Sequence, residues 1–380
     1  MPTESSGDLA AADFFTSGAL VKDPYPYYEA LRSRCPVTRE PHHGVAMVTG
    51  YDEALEVYRD PDRLSSCISV TGPFPGFPVP LEGDDLSELI ERHRDELPYS
   101  DQLPTFDPPE HTKQRGLLLR LLSPRRLQEN EAAMWQLADR QLDECLTEDG
   151  RCEFLADFAG PFTMLVIADL LGVPEEDHDL FRRGTGQVKG GFGSTSGETL
   201  AHAPLAFLYE AFTRYIEERR REPRDDTLTR LAQATFKDGS TPEVIDVVRL
   251  AANLFAAGQE TSVRMLAAAV QAMAEDHELQ TRLRADRGLL PGFIEEILRF
   301  ESPVKGDFRL ARVPVTIGEV ELPAGTMLMV LNGAANRDPR HFDHPDELQP
   351  TRENAREHLA FGHGIHYCPG APLARAEGRI

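Results

Sequence analysis

The sequence predicts a mainly α protein, a large helical domain with one long central helix and a small β-rich region. Three observations carry that reading. Apolar residues recur at three- and four-residue spacing through most of the first 300 positions. Strand-like runs bounded by Gly and Pro are short and cluster late. One periodic stretch running to about Ala274 is long enough, at roughly 50 Å, to cross a whole domain.

In chain order, Tyr25–Arg34, Tyr51–Asp60, Pro109–Leu122, Gln128–Cys145 and Phe162–Leu171 read as helices. β-rich parts are expected near 36–50 and 305–331, the latter holding strands at Val313–Ile317, Glu319–Leu322 and Thr326–Leu331. Thr71–Pro80 contains four prolines, which excludes a helix and opens an irregular connection reaching Pro104. Gly184–Gly197 contains six glycines and reads as a mobile linker. Ser240-Thr241-Pro242-Glu243 has the form of a capping box and predicts the start of the central helix. The middle of that helix, Ala256-Ala257-Gly258-Gln259-Glu260-Thr261-Ser262, lacks bulk, and Gly258 weakens it. Thr261 is placed to turn its hydroxyl onto the carbonyl of Ala257. Close helix packing alone would account for such small residues.

The 380 residues carry 40 Lys and Arg against 63 Asp and Glu, a formal charge of −23, which argues against a nucleic-acid-binding protein. Hydrophobic content of 41% with 27% charged residues fits a soluble globular chain. The five cysteines are odd in number and form no CxxC, which fits neither a disulfide scaffold nor a zinc ribbon and suits a reducing cytoplasm. The acidic N-terminus does not resemble a signal peptide, and Met164–Val173, broken by Asp169, is too short to span a bilayer. A cytoplasmic location away from the membrane is therefore expected.

The chemistry concentrates in Phe361-Gly-His-Gly-Ile-His-Tyr-Cys-Pro-Gly370. Gly362 and Gly364 allow a tight fold before Cys368, and Pro369 suits the first turn of a helix, placing Cys368 at its N-cap. A thiolate at that position is favoured by the helix N–H groups. From the residues alone, Cys368 is a buried turn cysteine, a zinc ligand with His363 and His366, or a strong axial ligand to iron.

The pattern Phe361-Gly362-x-Gly364-x-His366-x-Cys368-x-Gly370 resembles the haem-ligand signature of the cytochromes P450, a family that uses a Cys thiolate on haem iron. Four further segments resemble that family in the expected order. Ala257-Gly258-x-Glu260-Thr261-Ser262 is similar to its oxygen-binding kink, which implies haem contact at Ala257 and Gly258. It also implies catalytic proton delivery by Glu260 and Thr261. Glu296-Ile-Leu-Arg299 is similar to ExxR, with Arg352 of Pro350-Thr-Arg352 as the structural third member. Asp107-Pro-Pro-Glu-His-Thr-Lys-Gln-Arg115 and Phe308-Arg309-Leu-Ala311 imply His111, Arg115 and Arg309 as propionate-binding residues, completed by His366.

The resemblance covers the chain as one domain over 1–380, with a haem loop at 359–370. It implies haem b (iron protoporphyrin IX), O2, a small and mostly apolar organic substrate, and hydroxylation or epoxidation as the reaction. Oxidative coupling, desaturation and haem binding without turnover are its alternatives. With no flavin or nicotinamide fingerprint, a ferredoxin-type donor with its reductase is expected. The acid-free stretch His111–Arg126, with Lys113, Arg115, Arg120, Arg125 and Arg126, is its expected dock. Asn253, Leu254, Val304 and Phe308 are expected in the substrate pocket. Leu373–Ile380 is helical in pattern up to the last residue, whereas the family continues into a hairpin, so a C-terminal truncation is expected.

Overall fold

The computed structural model describes residues 9–122, 124–146, 149–185 and 203–380. Its axis is the helix Val244–Glu275, whose 32 residues give a rod of about 48 Å. Apolar residues on this rod, among them Val247, Leu254, Phe255 and Met265, meet helices Gly160–Leu171, Ala203–Arg221, Leu290–Glu301 and Ala371–Arg379 in the largest buried cluster. The helix Gly160–Leu171 is buried almost all round, so its sequence shows no polar stripe. With the preceding π-helical turn, Phe154–Leu171 is the one described stretch apolar and long enough to cross a membrane, and 61% of it is buried in the fold.

The β region holds β1 Val37–Arg39, β2 Ala46–Val48, β3 Leu64–Ser65, β4 Asp307–Ala311, β5 Val315–Ile317, β6 Val320–Leu322 and β7 Met327–Val330. One sheet runs β1-β2-β7-β4-β3, with β2 parallel to β7 and β4 antiparallel to it, pairing Arg309 with Leu328. β5 and β6 form a separate hairpin. The helix Tyr51–Arg59 packs Ala54, Val57 and Tyr58 on this sheet, and Tyr58 reaches the Cys368 loop.

Several local expectations are revised. The central helix starts at Val244 with Glu243 as its uncapped N-cap, and Ser240 turns instead to Asp238, its hydroxyl donating to Oδ1 at 2.6 Å. The proline-rich connection does not run unbroken to Pro104. Ser87–His93 is a helix anchored by buried Ile90, with Leu86 buried one turn earlier. Pro124, compatible with a first turn, begins the helix that ends at Cys145, four residues before the expected start. Of the Gly184–Gly197 stretch, residues 186–197 lie outside the described residues.

Candidate functional site: a thiolate loop facing a cationic cluster

Residues 359–368 form a tight loop in which the Cys368 N–H donates to the Phe361 carbonyl at 2.9 Å. Gly362 and Gly364 adopt φ of +65° and +71°, and a Cβ at Gly364 would lie 2.4 Å from the Tyr58 carbonyl oxygen. Glycine is therefore required where the loop crosses Tyr58. The helix that follows begins at Ala371 with Gly370 as N-cap, so Cys368 stands two residues before the cap rather than on it. The N–H groups of Gly370 and Ala371 still reach its sulfur. Burial raises the thiol, and those N–H groups with Arg115 and Arg375 pull it down.

Beside the loop lie the residues expected to bind propionates. His111 is 2% exposed, neither of its ring nitrogens has a partner among the described residues, and its ring sits 4.1 Å from that of His366. Burial, reinforced by Arg115, pushes His111 down to about 4, while burial and then Arg309, His111 and Arg115 push His366 down to about 2. Two buried histidines and two guanidiniums have converged on one place, the guanidiniums of Arg115 and Arg309 helping to keep both histidines neutral. Only partial compensation is visible: Arg309 pairs with Asp307 at 2.9 Å, and Arg115 donates to the Tyr367 carbonyl. Such an arrangement is complementary to a bound dianion.

On the central helix, Ala257 is exposed at mid-length, flanked along the same stripe by Asn253 and Thr261. The Thr261 hydroxyl donates to the Ala257 carbonyl at 2.9 Å, as expected. Glu260 points away to an ion pair with Arg264, its side chain 43% exposed. Gly258 has a packing duty, since a Cβ there would lie 2.8 Å from Ile167 Cδ1. Asn253 is buried, and its Nδ2 has no partner among the described residues. Val304 is 42% exposed. The other two residues expected in the pocket fall on packed side chains. Leu254 is buried in the helical core, and Phe308 packs beside Phe15 and over Gly72, on the sheet face opposite Arg309. Alternation along β4 requires this: once Arg309 turns to the histidines, its neighbour must turn away.

The remaining motif is assembled as expected. Glu296 and Arg299 are fully buried, joined at 2.5 and 3.0 Å, and Arg352 donates to Glu296 at 3.0 Å. Arg299 also donates to the carbonyls of Asn336, Pro345 and Glu347, so the trio locks the segment leading to the Cys368 loop.

Sequence reasoning missed three supports. Buried Asp107 accepts from Ser65 at 2.5 Å, Ser66 N–H at 2.8 Å and Arg94 at 2.7 Å, and Ser66 Oγ lies 3.1 Å from His366 Nε2. Glu295 accepts from Arg375 at 2.7 Å and meets His358 at 3.1 Å, and Arg375 also lies 4.7 Å over the Phe361 ring. Although burial would raise Glu295, these partners hold it near 2. Buried Glu377 accepts from the Ser262 hydroxyl. Asp107, which opens the quoted Asp107–Arg115 segment, and Glu295, adjacent to Glu296, left a signal, and Glu377 left none. Among the described residues no three His, Cys, Asp or Glu side chains form a metal-binding group, which removes the zinc reading. Side chains of Arg120, Arg125 and Arg126 lie outside the described residues.

The residues present fit a haem. They offer one thiol on a rigid loop, an exposed small residue amid a long helix, and an unpartnered buried histidine among cations.

Comparison with known proteins agrees. A family model described as Cytochrome P450 matches residues 196–380. "Cytochrome P450 144" of Mycobacterium tuberculosis is 34% identical over 97% of this chain and 83% of its own. "Cytochrome P450 monooxygenase PikC" of Streptomyces venezuelae is 33% identical over 100% of this chain and 88% of its own. The substrate-free structure of Mycobacterium marinum cytochrome P450 CYP150A6 superposes with a TM-score of 0.91 at 52% identity, covering 98% of this chain and 87% of that one.

Proposed function

This chain belongs to the cytochrome P450 family and is a haem monooxygenase of bacterial type, and from that premise we propose which residues do the work and on what substrate. Bound haem b supplies reductive activation of O2, one atom entering the substrate and the other leaving as water. Cys368 is the thiolate ligand, and His111, Arg115, Arg309 and His366 hold the propionates. Phe361, Gly362, Gly370, Ala257 and Gly258 shape the two walls, and Glu296, Arg299 and Arg352 keep the loop in place. The convergence of the Cys368 loop with that cluster of two histidines and two arginines is the observation that carries the reading.

Thr261 is the group that holds a proton beside the reacting face. Its Oγ1 is already within 2.9 Å of the Ala257 carbonyl, so it exchanges one hydrogen bond for another without leaving the helix. Glu260, paired with Arg264 and part-exposed, is the side from which protons arrive. The reaction is hydroxylation or epoxidation of a mostly apolar small molecule. Asn253 adds a donor on the stripe shared with Ala257 and Thr261, which supports a substrate carrying a hydrogen-bond acceptor such as a ketone or lactone oxygen. Bacterial relatives draw electrons from separate redox proteins. A ferredoxin-type donor with its reductase is read here from the acid-free stretch His111–Arg126, and all 380 residues are read as one domain.

The test is spectroscopic. Reduced protein under carbon monoxide is expected to show the red-shifted Soret band of thiolate-ligated haem, and Cys368→Ala to abolish it. A band unchanged by that substitution would remove Cys368 from the iron.

A further inference from the structure

The strand β3 runs into a turn whose two serines are held by one carboxylate. Asp107 Oδ2 accepts from the Ser65 hydroxyl at 2.5 Å, Arg94 at 2.7 Å and Arg312 at 2.5 Å. Its Oδ1 accepts from the Ser66 N–H at 2.8 Å. The turn is closed from its far end as well, the Ser69 N–H donating to the Ser66 carbonyl and the Ser69 hydroxyl to the Pro104 carbonyl, both at 2.8 Å. Ser65, Ser66 and Asp107 are all buried, so this network is rigid. With its N–H on Asp107 and its carbonyl under Ser69, Ser66 has only its hydroxyl left to place. That hydroxyl stands 3.1 Å from His366 Nε2.

A hydroxyl can donate to such a nitrogen or accept from it. The duty of the histidine makes the choice. His366, beside Arg309 and Arg115, is neutral, and a neutral imidazole carries a single N–H. A carboxylate only accepts, so a neutral histidine that holds a propionate turns its N–H to it and accepts at the other nitrogen. His111, whose ring is 4.1 Å away, has no partner at either nitrogen among the described residues, so of the two rings it is His366 whose tautomer the protein sets.

We propose that Ser66 is a positioning residue of the haem site: its hydroxyl donates to His366 Nε2, so that the ring keeps its proton on Nδ1 and offers that N–H to a haem propionate. This role rests on the reading of His366 as a propionate-binding residue, and it adds the group that sets the tautomer on which that duty depends. Asp107 stands one step further back, fixing the turn that carries Ser66. Without the Ser66 hydroxyl neither nitrogen is favoured for the proton, and the propionate loses its donor whenever the opposite tautomer forms.

The test is haem release, measured as transfer to excess apomyoglobin at one fixed pH, on holoprotein variants that retain the thiolate Soret band under carbon monoxide. Ser66→Ala is expected to speed release about fivefold, the effect of one hydrogen bond, and Ser66→Thr, which keeps the hydroxyl, to restore the wild-type rate. His366→Phe keeps the bulk of the ring and should speed release by itself, and adding Ser66→Ala to it should change nothing further. A Ser66 needed only for packing would give effects that multiply in the double variant. That result, or a wild-type rate for Ser66→Ala, overturns the proposal. A wild-type rate for His366→Phe strikes the propionate reading itself, and the proposal falls with it. The tautomer is read independently in the wild type, by nuclear magnetic resonance of isotopically labelled histidine nitrogens in the diamagnetic ferrous carbonmonoxy protein. The signals that His366→Phe removes are expected to be a protonated Nδ1 and a bare Nε2, and the reverse pattern refutes donation by Ser66.

Discussion

Glu377 offers the sharpest test of the packing. It lies in the helix Ala371–Arg379, only 2% exposed, where it accepts from the Ser262 hydroxyl while its other oxygen has no partner among the described residues. Burial dominates and pushes the carboxyl from 4.5 up to about 8, with Ser262 offsetting little. The folded protein therefore holds this proton more tightly than the unfolded chain. Its contribution is fully present below pH 4.5 and is lost as pH rises from there to 8. A tenfold change in proton affinity is worth about 1.4 kcal/mol, so the full loss is on the order of 5 kcal/mol. Glu377→Gln keeps the shape and the Ser262 contact but cannot ionise. At pH 5 the two proteins should unfold within about 1 kcal/mol of each other, and by pH 8.5 the variant should be the more stable by several kcal/mol. Denaturant unfolding at half-unit steps from pH 5 to 9 measures the difference, in which every other titrating group cancels. Two parallel stability curves would refute the claim that Glu377 is buried as a neutral acid.

Arg299→Leu leaves the Glu296 carboxylate buried and three backbone carbonyls without their donor. It should cost about 3–5 kcal/mol, read as loss of soluble, haem-loaded protein on expression. Gly364→Ala imposes both a positive φ and a Cβ 2.4 Å from the Tyr58 carbonyl, so it should destabilise by more than about 2 kcal/mol in the same unfolding assay. Asn253→Leu removes a buried unpaired amide worth about 1–3 kcal/mol. Calorimetric titration with cyclododecanone and cyclododecane should show the wild type favouring the ketone and the variant losing that preference by about tenfold or more. Equal losses for both ligands would assign Asn253 a packing role alone.

What the sequence made legible divides along the range of the forces involved. Thr261 to Ala257 is a contact four residues apart on one helix, and Glu296 with Arg299 three apart, so the backbone period nearly determines both. The glycine loop was equally readable, since only glycine accepts φ near +70° against another carbonyl. The cations are different. Nothing local brings His111, Arg309 and His366 together, and their convergence was accessible only through resemblance to a family whose chain already folds that way. Where a residue was read without its orientation, the reading slipped: Phe308 was placed in the pocket although its neighbour Arg309 occupies that side of β4. Period-two arithmetic, anchored on Arg309, would have excluded Phe308. Leu254, by contrast, lies seven positions before Thr261, within about 20° of two full turns, so helix period alone keeps it on that side. Ser240 failed as a cap for a subtler reason, because Asp238 two residues earlier competes for its hydroxyl and wins. Glu377 had no signal at all, since a Glu within one turn of Arg375 and Arg379 reads as a solvated helix face. Its burial is decided by Ser262, 115 positions away on the central helix, where the side chain is small enough to admit a carboxyl. Where a polar residue owes its place to a helix crossing, the crossing has to be known before the residue can be read.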